Sequence, residues 1–307
     1  MSSPLLSLPG AVGGSGIDAP VAAHYGSLYG EQKTLESGEG FVDLSHHDVL
    51  RISGPDRLQW LHDLTTQYFL DLPAKAWTQA LVLSPQGHVE HAFAGVDDGE
   101  SFTAATEPGA AAALLEFLDR MRFLSRVEVE EVTAELALTY RPAAGNELVP
   151  RDQLTTYAAA AGPACGLWAY EALRIARGEP RLGLDTDQRT IPNEVGWIDV
   201  AVHMDKGCYR GQETVARVHN LGRPPRRLTL LHLDGSENRL PEVGSELRSG
   251  DKAVGRVGTS ARHHELGPIA LALVKRNVPL DAQLDVDGLP AAQEVVVDPE
   301  VGIHFRR

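Results

Sequence analysis

At His219–Arg227 (HNLGRPPRR) the chain changes texture, and that break limits its possible folds more than any other feature. Pro224 and Pro225 fix φ and withhold two backbone N–H donors, so no regular element runs through them. Beyond the break lie short strand candidates at Leu228–Leu233, Glu246–Arg248, Ala253–Val257 and Ile269–Val274. Turns rich in Gly, Ser, Asp and Pro separate them, and Ser249-Gly250-Asp251 reads as a hairpin. A module of ~80 residues made only of short strands buries its core as a barrel or a sandwich.

Upstream, strand-like and helix-like pieces interleave. Residues 1–20, rich in Gly, Ser and Pro, read as a flexible tail. Ser53-Gly54-Pro55-Asp56 opens a helix in which Leu58, Leu61 and Leu64 recur at helical spacing beside Trp60. Ala80–Ser84 reads as a buried strand that turns at Pro85-Gln86-Gly87. A second helix spans roughly 109–122, with Leu114, Phe117, Leu118 and Met121 on one face, and 127–140 alternates as strands. A third helix is lined by Trp168, Ala172, Ile175 and Ala176 and stops at Gly178 and Pro180. This pattern predicts an α+β protein with a tail (1–20), an α+β region (21–222) and a C-terminal β-module (223–307).

A length of 307 residues suffices for two or three modules with a sizeable core. The net charge of −14 argues against a broad nucleic-acid or anionic-membrane surface. No window approaches a membrane span, and Pro4 and Pro9 break the apolar start, so no signal peptide is expected. With only Cys165 and Cys208, no disulfide framework is needed; a reducing, cytoplasmic setting is expected. No CxxC or HxxxH spacing suggests a metal site, and the pairs His46-His47 and His263-His264 read as surface or structural.

The densest chemistry lies at 206–213, Lys-Gly-Cys-Tyr-Arg-Gly-Gln-Glu. Cys208 has Lys206 on one side and Arg210 on the other, and a thiol near positive charge ionises more readily. Gly207 and Gly211 permit positive φ or close approach of a ligand. Cys165, in Gly-Pro-Ala-Cys-Gly-Leu, has a small apolar setting suited to packing.

The run from Lys206 to Glu213, continued by Thr-Val-Ala-Arg, resembles the signature of the YgfZ group of folate-binding proteins, relatives of the glycine-cleavage T-protein (aminomethyltransferase). The similarity extends in order along the chain. It takes in Gly54-Pro55-Asp56-Arg57, Trp60-Leu61-His62, Leu64-Thr65-Thr66-Gln67 and Leu83-Ser84-Pro85-Gln86-Gly87. Arg174-Ile175 with Gly178 and Pro180, and Ile191-Pro192-Asn193-Glu194, follow. The resemblance implies a T-protein-like core of several subdomains, one of them ferredoxin-like, with a small C-terminal β-barrel around a folate channel. It also implies tetrahydrofolate or a one-carbon derivative as cofactor. The implied partners are iron–sulfur client or assembly proteins.

Carried onto this chain, the resemblance makes Glu147 the carboxylate that accepts paired N–H bonds from the pterin, with Asn146 where an aromatic residue is usual; otherwise Glu147 is an exposed strand-end residue. Arg174 either receives the glutamate tail of folate or solvates a helix face. Arg223, Arg226 and Arg227 form a basic cluster suited to a polyglutamate tail or to a solvated linker. Tyr209 and Trp197 offer a stacking surface for pterin or core packing. Lys206 lowers the thiol pKa or pairs with an anion, and Gln212 and Glu213 fix the loop. For Cys208 three roles stand: nucleophile or persulfide carrier, transient iron–sulfur ligand, or redox-sensitive thiol. A lone thiolate does not hold a stable cluster, which usually takes four protein ligands.

One departure bears on activity. Where T-proteins carry a catalytic aspartate, this chain reads Gly87-His88-Val89-Glu90-His91-Ala92. Glu90 and His91 would lie on opposite faces of a strand, so both cannot serve one site. The expectation is therefore a folate-binding accessory protein with Cys208 as reactive centre. A folate-dependent aminomethyltransferase or demethylase is the alternative.

Overall fold

The computed structural model describes residues 1–300 and divides into two compact units. The first comprises Met1–Leu64, Tyr68–Ala80 and His91–Glu171; the second comprises Thr65–Gln67, Leu81–Glu90 and the chain from Ala172 onward.

The chain opens with the paired β1 (Val12–Gly13) and β2 (Ala22–His24), then α1 (Leu28–Glu36), β3 (Phe41–Asp43), β4 (Asp48–Ser53) and α2 (Arg57–Leu64). There follow β5 (Trp77–Leu83), β6 (Val89–Asp97), β7 (Ser101–Thr106), α3 (Ala111–Arg120), β8 (Glu128–Glu131), β9 (Leu136–Arg141) and β10 (Gly145–Pro150). Next come α4 (Leu154–Ala160), β11 (Ala164–Cys165) and α5 (Leu167–Ala176). One sheet has the order β5-β6-β7-β4-β8, and a second has the order β10-β9-β3-β11, with β11 parallel to β3.

Residues 1–20, expected as a flexible tail, are instead packed. Leu5 is buried with Phe41, Ala137 and Leu154, and the Ser3 hydroxyl bonds to the Asp43 carboxylate. Their Gly and Pro content makes turns rather than disorder, because Leu5 supplies an anchor worth burying. In α5 the buried face carries Ala169, Ala172 and Ile175, whereas Trp168 is half-exposed beside His24. The expectation that Trp168 lines the core face is thus corrected by one helical position. His46 is buried beside Asp18, at 3.1 Å.

In the second unit, α6 (Gln212–Leu221) follows the cysteine loop directly; apolar spacing alone did not mark it. The β-module is a closed barrel of β12 (Arg226–Leu233), β13 (Glu246–Ser249), β14 (Lys252–His263), β15 (Gly267–Lys275), β16 (Leu284–Val286) and β17 (Leu289–Val295). Its strand order is β12-β15-β14-β13-β16-β17, and β17 pairs with β12 to close it. Leu231 and Leu233, Ala270, Ala272 and Val274, and Leu289 and Ala291 fill the core at alternate positions, as a pleated strand requires. No helix among the described residues is long and apolar enough to cross a membrane.

Candidate functional site

Two sequence blocks that lie far from it in the chain meet around the cysteine loop. Residues Thr65–Gln67 form a strap held on every side. The Thr66 hydroxyl donates to the Ala201 carbonyl at 2.6 Å and accepts from the Leu81 N–H at 3.0 Å. The His203 N–H reaches the Thr66 carbonyl at 2.9 Å. Lys206 then buries its ammonium against the same strap, donating to the Thr65 carbonyl at 2.5 Å and the Gln67 carbonyl at 3.1 Å. Its Nζ also lies 5.4 Å from the centre of the Tyr209 ring. Lys206 is thus buried with its ammonium held against strap and ring.

The turn between β5 and β6 supplies the second block. The Ser84 hydroxyl accepts from the Gln86 and His88 N–H groups, and Gly87 adopts φ +84°. Gly211, at the N-cap of α6, has φ +81°. A Cβ on Gly211 would lie 2.5 Å from the Ser84 carbonyl oxygen, and one on Gly87 would lie 2.7 Å from Thr214 Cβ. Only glycines allow this approach. Gly207 differs: a Cβ there would meet nothing within 4 Å, so its flank is open.

Cys208 is exposed on this loop between two buried neighbours, Lys206 and Tyr209. Tyr209 carries a buried hydroxyl with no hydrogen-bond partner among the described residues, and burial pushes its phenol up to about 12. Trp197 is likewise buried, so both aromatic residues pack in the interior. The Gln212 N–H caps the Tyr209 carbonyl at 3.2 Å, while Glu213 points along α6 to Arg217 rather than into the loop. Arg210 reaches Glu90 Oε2 at 3.1 Å, tying the loop to β6.

Cys165 is the opposite kind of thiol. It is buried, and burial, helped by Glu31, pushes it up to about 12.

The remaining candidates lie elsewhere. Arg174 is buried, donating to Asp185 Oδ2 at 3.1 Å, to Thr259 Oγ1 at 2.7 Å and to the Glu179 carbonyl. Arg226 clasps Asp187 and Glu194, Arg223 pairs with Glu300, and Arg227 is buried with donors on the Lys275, Arg276 and Val278 carbonyls. The three arginines of the basic cluster therefore serve three separate internal contacts. Glu147, in the first unit, sits in β10 and receives Arg141 Nε at 2.6 Å and Nη2 at 2.7 Å. The Tyr157 hydroxyl donates to its Oε2 at 2.8 Å. Arg141 holds the Glu147 carboxyl below its ordinary range. Arg141, Tyr157 and Asp185 carried no local signal, because each acts through partners set by the fold.

The crystal structure of the glycine cleavage system aminomethyltransferase T from Bartonella henselae matches this structure with a TM-score of 0.78, covering 99% of this chain and 98% of that one. The fold is that of a T-protein. At 16% identity the likeness concerns the fold alone. The T-protein-like fold ends in the closed barrel described above. No family model matches the chain. An aminomethyltransferase of Thermotoga sp. is 24% identical over 86% of this chain and 85% of its own length. A putative chloroplastic transferase of Arabidopsis thaliana is 23% identical over 73% of this chain, which spans 62% of that protein. The tRNA-modifying protein YgfZ of Buchnera aphidicola is 40% identical over 72 residues, 23% of this chain and 22% of its own.

Proposed function

We propose that this chain is a tetrahydrofolate-binding accessory protein of the YgfZ type, acting in the assembly or repair of iron–sulfur proteins through the Cys208 thiol. The observation that carries the reading is the presentation of Cys208. Its neighbours Lys206 and Tyr209 are buried, the loop is pinned by the Gly87–Gly211 contact, and the thiol is exposed beside the open flank of Gly207. Such a thiol is accessible to a macromolecular partner while its backbone is held still. The local 40% identity to YgfZ supports the same direction.

Glu147 suits the pterin. Arg141 presents two N–H groups to the two carboxylate oxygens, the same bidentate arrangement that an aminopyrimidine edge presents. Glu147 would hold that edge and Tyr157 would keep the carboxylate in place. Arg174 is committed to Asp185 and Thr259, so the folate tail falls to other groups.

The test is twofold. Tetrahydrofolate should raise the melting temperature of the purified protein, since a ligand of the native state alone must stabilise it. A Cys208→Ala chain should bind tetrahydrofolate yet fail to restore iron–sulfur enzyme activity in a deletion strain; full restoration would remove the cysteine from the mechanism.

The alternative is a folate-dependent aminomethyltransferase, favoured by the likeness to the Thermotoga enzyme along most of both chains. Against it, Glu90 is the acid on β6 nearest the missing aspartate, and it is paired with Arg210. Formation of methylene-tetrahydrofolate from an aminomethyl donor would establish this reading instead.

A further inference from the structure

We propose that Arg141 is a built-in competitor for the Glu147 carboxylate, so that a ligand bearing paired N–H donors enters this site only as Arg141 swings out. The inference rests on the reading of Glu147 as the acceptor for the pterin edge, and it concerns how that same site is regulated.

The geometry makes the competition strict. A carboxylate offers about four lone-pair positions. Arg141 takes two through Nε and Nη2, and the Tyr157 hydroxyl takes a third. A second bidentate donor therefore finds no room while Arg141 is in place. Fork and pterin edge are interchangeable donors, and one must leave for the other to bind.

The two holders of Glu147 differ in how firmly they are fixed. Tyr157 projects from α4 and packs edge-on against the buried Phe41, with ring centroids 5.7 Å apart. It stays with the carboxylate. Arg141 is the last residue of β9, and its side chain is 38% exposed. Across the ladder it faces Gly145, where a Cβ would meet nothing within 4 Å. A long side chain opposite a glycine bordered by open space has somewhere to go. The pair is half-buried at the end of β9, open enough to water that the solvated fork can replace it and the latch is reversible. Arg141 also lowers the pKa of the carboxyl, and an ionised acceptor makes the stronger bonds.

The experiment measures dissociation constants of the full-length chain for two probes, tetrahydrofolate and the tail-free 6-methyltetrahydropterin. Arg141→Met removes the fork and keeps the aliphatic stem. It should tighten both probes about threefold to fivefold, the scale of one solvent-screened ion pair. Arg141→Lys, which keeps the charge without the fork, should also tighten both. Glu147→Gln should weaken both at least about tenfold, as a charged acceptor is lost. If wild type binds and Arg141→Met binds equally or more weakly, the competitor role is overturned and the folate reading stands. If tetrahydrofolate binds neither chain, the folate reading falls and this inference falls with it. Melting temperatures of the variants near that of wild type confirm that the change is in the site.

Discussion

Gly211 and Gly87 touch backbone to backbone: a Cβ on Gly211 would lie 2.9 Å from Gly87 Cα, and both residues have positive φ. The cysteine loop and the β5–β6 turn are thus one unit of structure. Gly211→Ala should destabilise the fold by more than about 1 kcal/mol from left-handed strain alone, with steric conflict in addition. Gly207→Ala, with open space and no such φ, should leave the urea midpoint within error. Equal midpoints for the two variants would contradict the contact.

The two thiols should separate cleanly under alkylation. Cys208 is exposed, whereas Cys165 is buried and raised to about 12. Native protein at neutral pH should incorporate one iodoacetamide per chain, at Cys208, and denatured protein two. Mass-spectrometric labelling of Cys165 in the native state would refute the packing around it.

Arg174 should prove to be a residue of stability. Its side chain and that of Asp185 are almost wholly buried, at 5% and 0% exposure. Arg174→Met takes the guanidinium partner from the buried Asp185 carboxylate, a loss of about 3–5 kcal/mol. The fall in unfolding free energy should be the same with and without tetrahydrofolate in the buffer at low occupancy. A variant of native stability that lost only folate affinity would return Arg174 to the binding site.

Arg226 and Asp187 predict a pH signature. Burial pushes the Asp187 carboxyl up, but hydrogen bonds from the Arg226 side chain and the Arg189 N–H outweigh it and hold the group at about 2. In the unfolded chain the value is about 3.9. The folded value is depressed, so the stabilisation is complete above about pH 4 and is lost as pH falls toward 2. Arg226→Met should therefore be less stable than wild type at pH 7, and the gap should narrow between pH 4 and 2. Urea midpoints across that range decide it; a pH-independent gap would count against the pairing.

How much of this was legible beforehand depends on the range of the interaction. The helix after Pro55, the strand at Ala80–Ser84 and the strand candidate at Leu228–Leu233 all follow from local sequence, and they appear as α2, β5 and β12. The helix after Gly211 was hidden because its apolar residues are sparse, and Val215 is buried through tertiary contact. The N-terminal residues looked loose because their composition is that of a tail, and tertiary contacts such as the seat for Leu5 and the Ser3–Asp43 bond order them.

At the site the same division holds. The residues between Lys206 and Glu213, and the turn at Ser84–Gly87, could be picked out by residue type alone, since glycines and a charged cysteine loop announce unusual backbone and chemistry. Which charges remain available could not be. Lys206 went to the strap, Arg174 to Asp185, Arg226 to Asp187 and Glu194, and Glu147 to Arg141. By itself the sequence determined the order of elements and the positions needing glycine, because periodicity and φ preferences are properties of neighbours in the chain. Only the tertiary structure decided which side chains are spent on internal partners and which, like Cys208, face outward. A burial or ion-pair partner many residues away is a fact of folding in three dimensions.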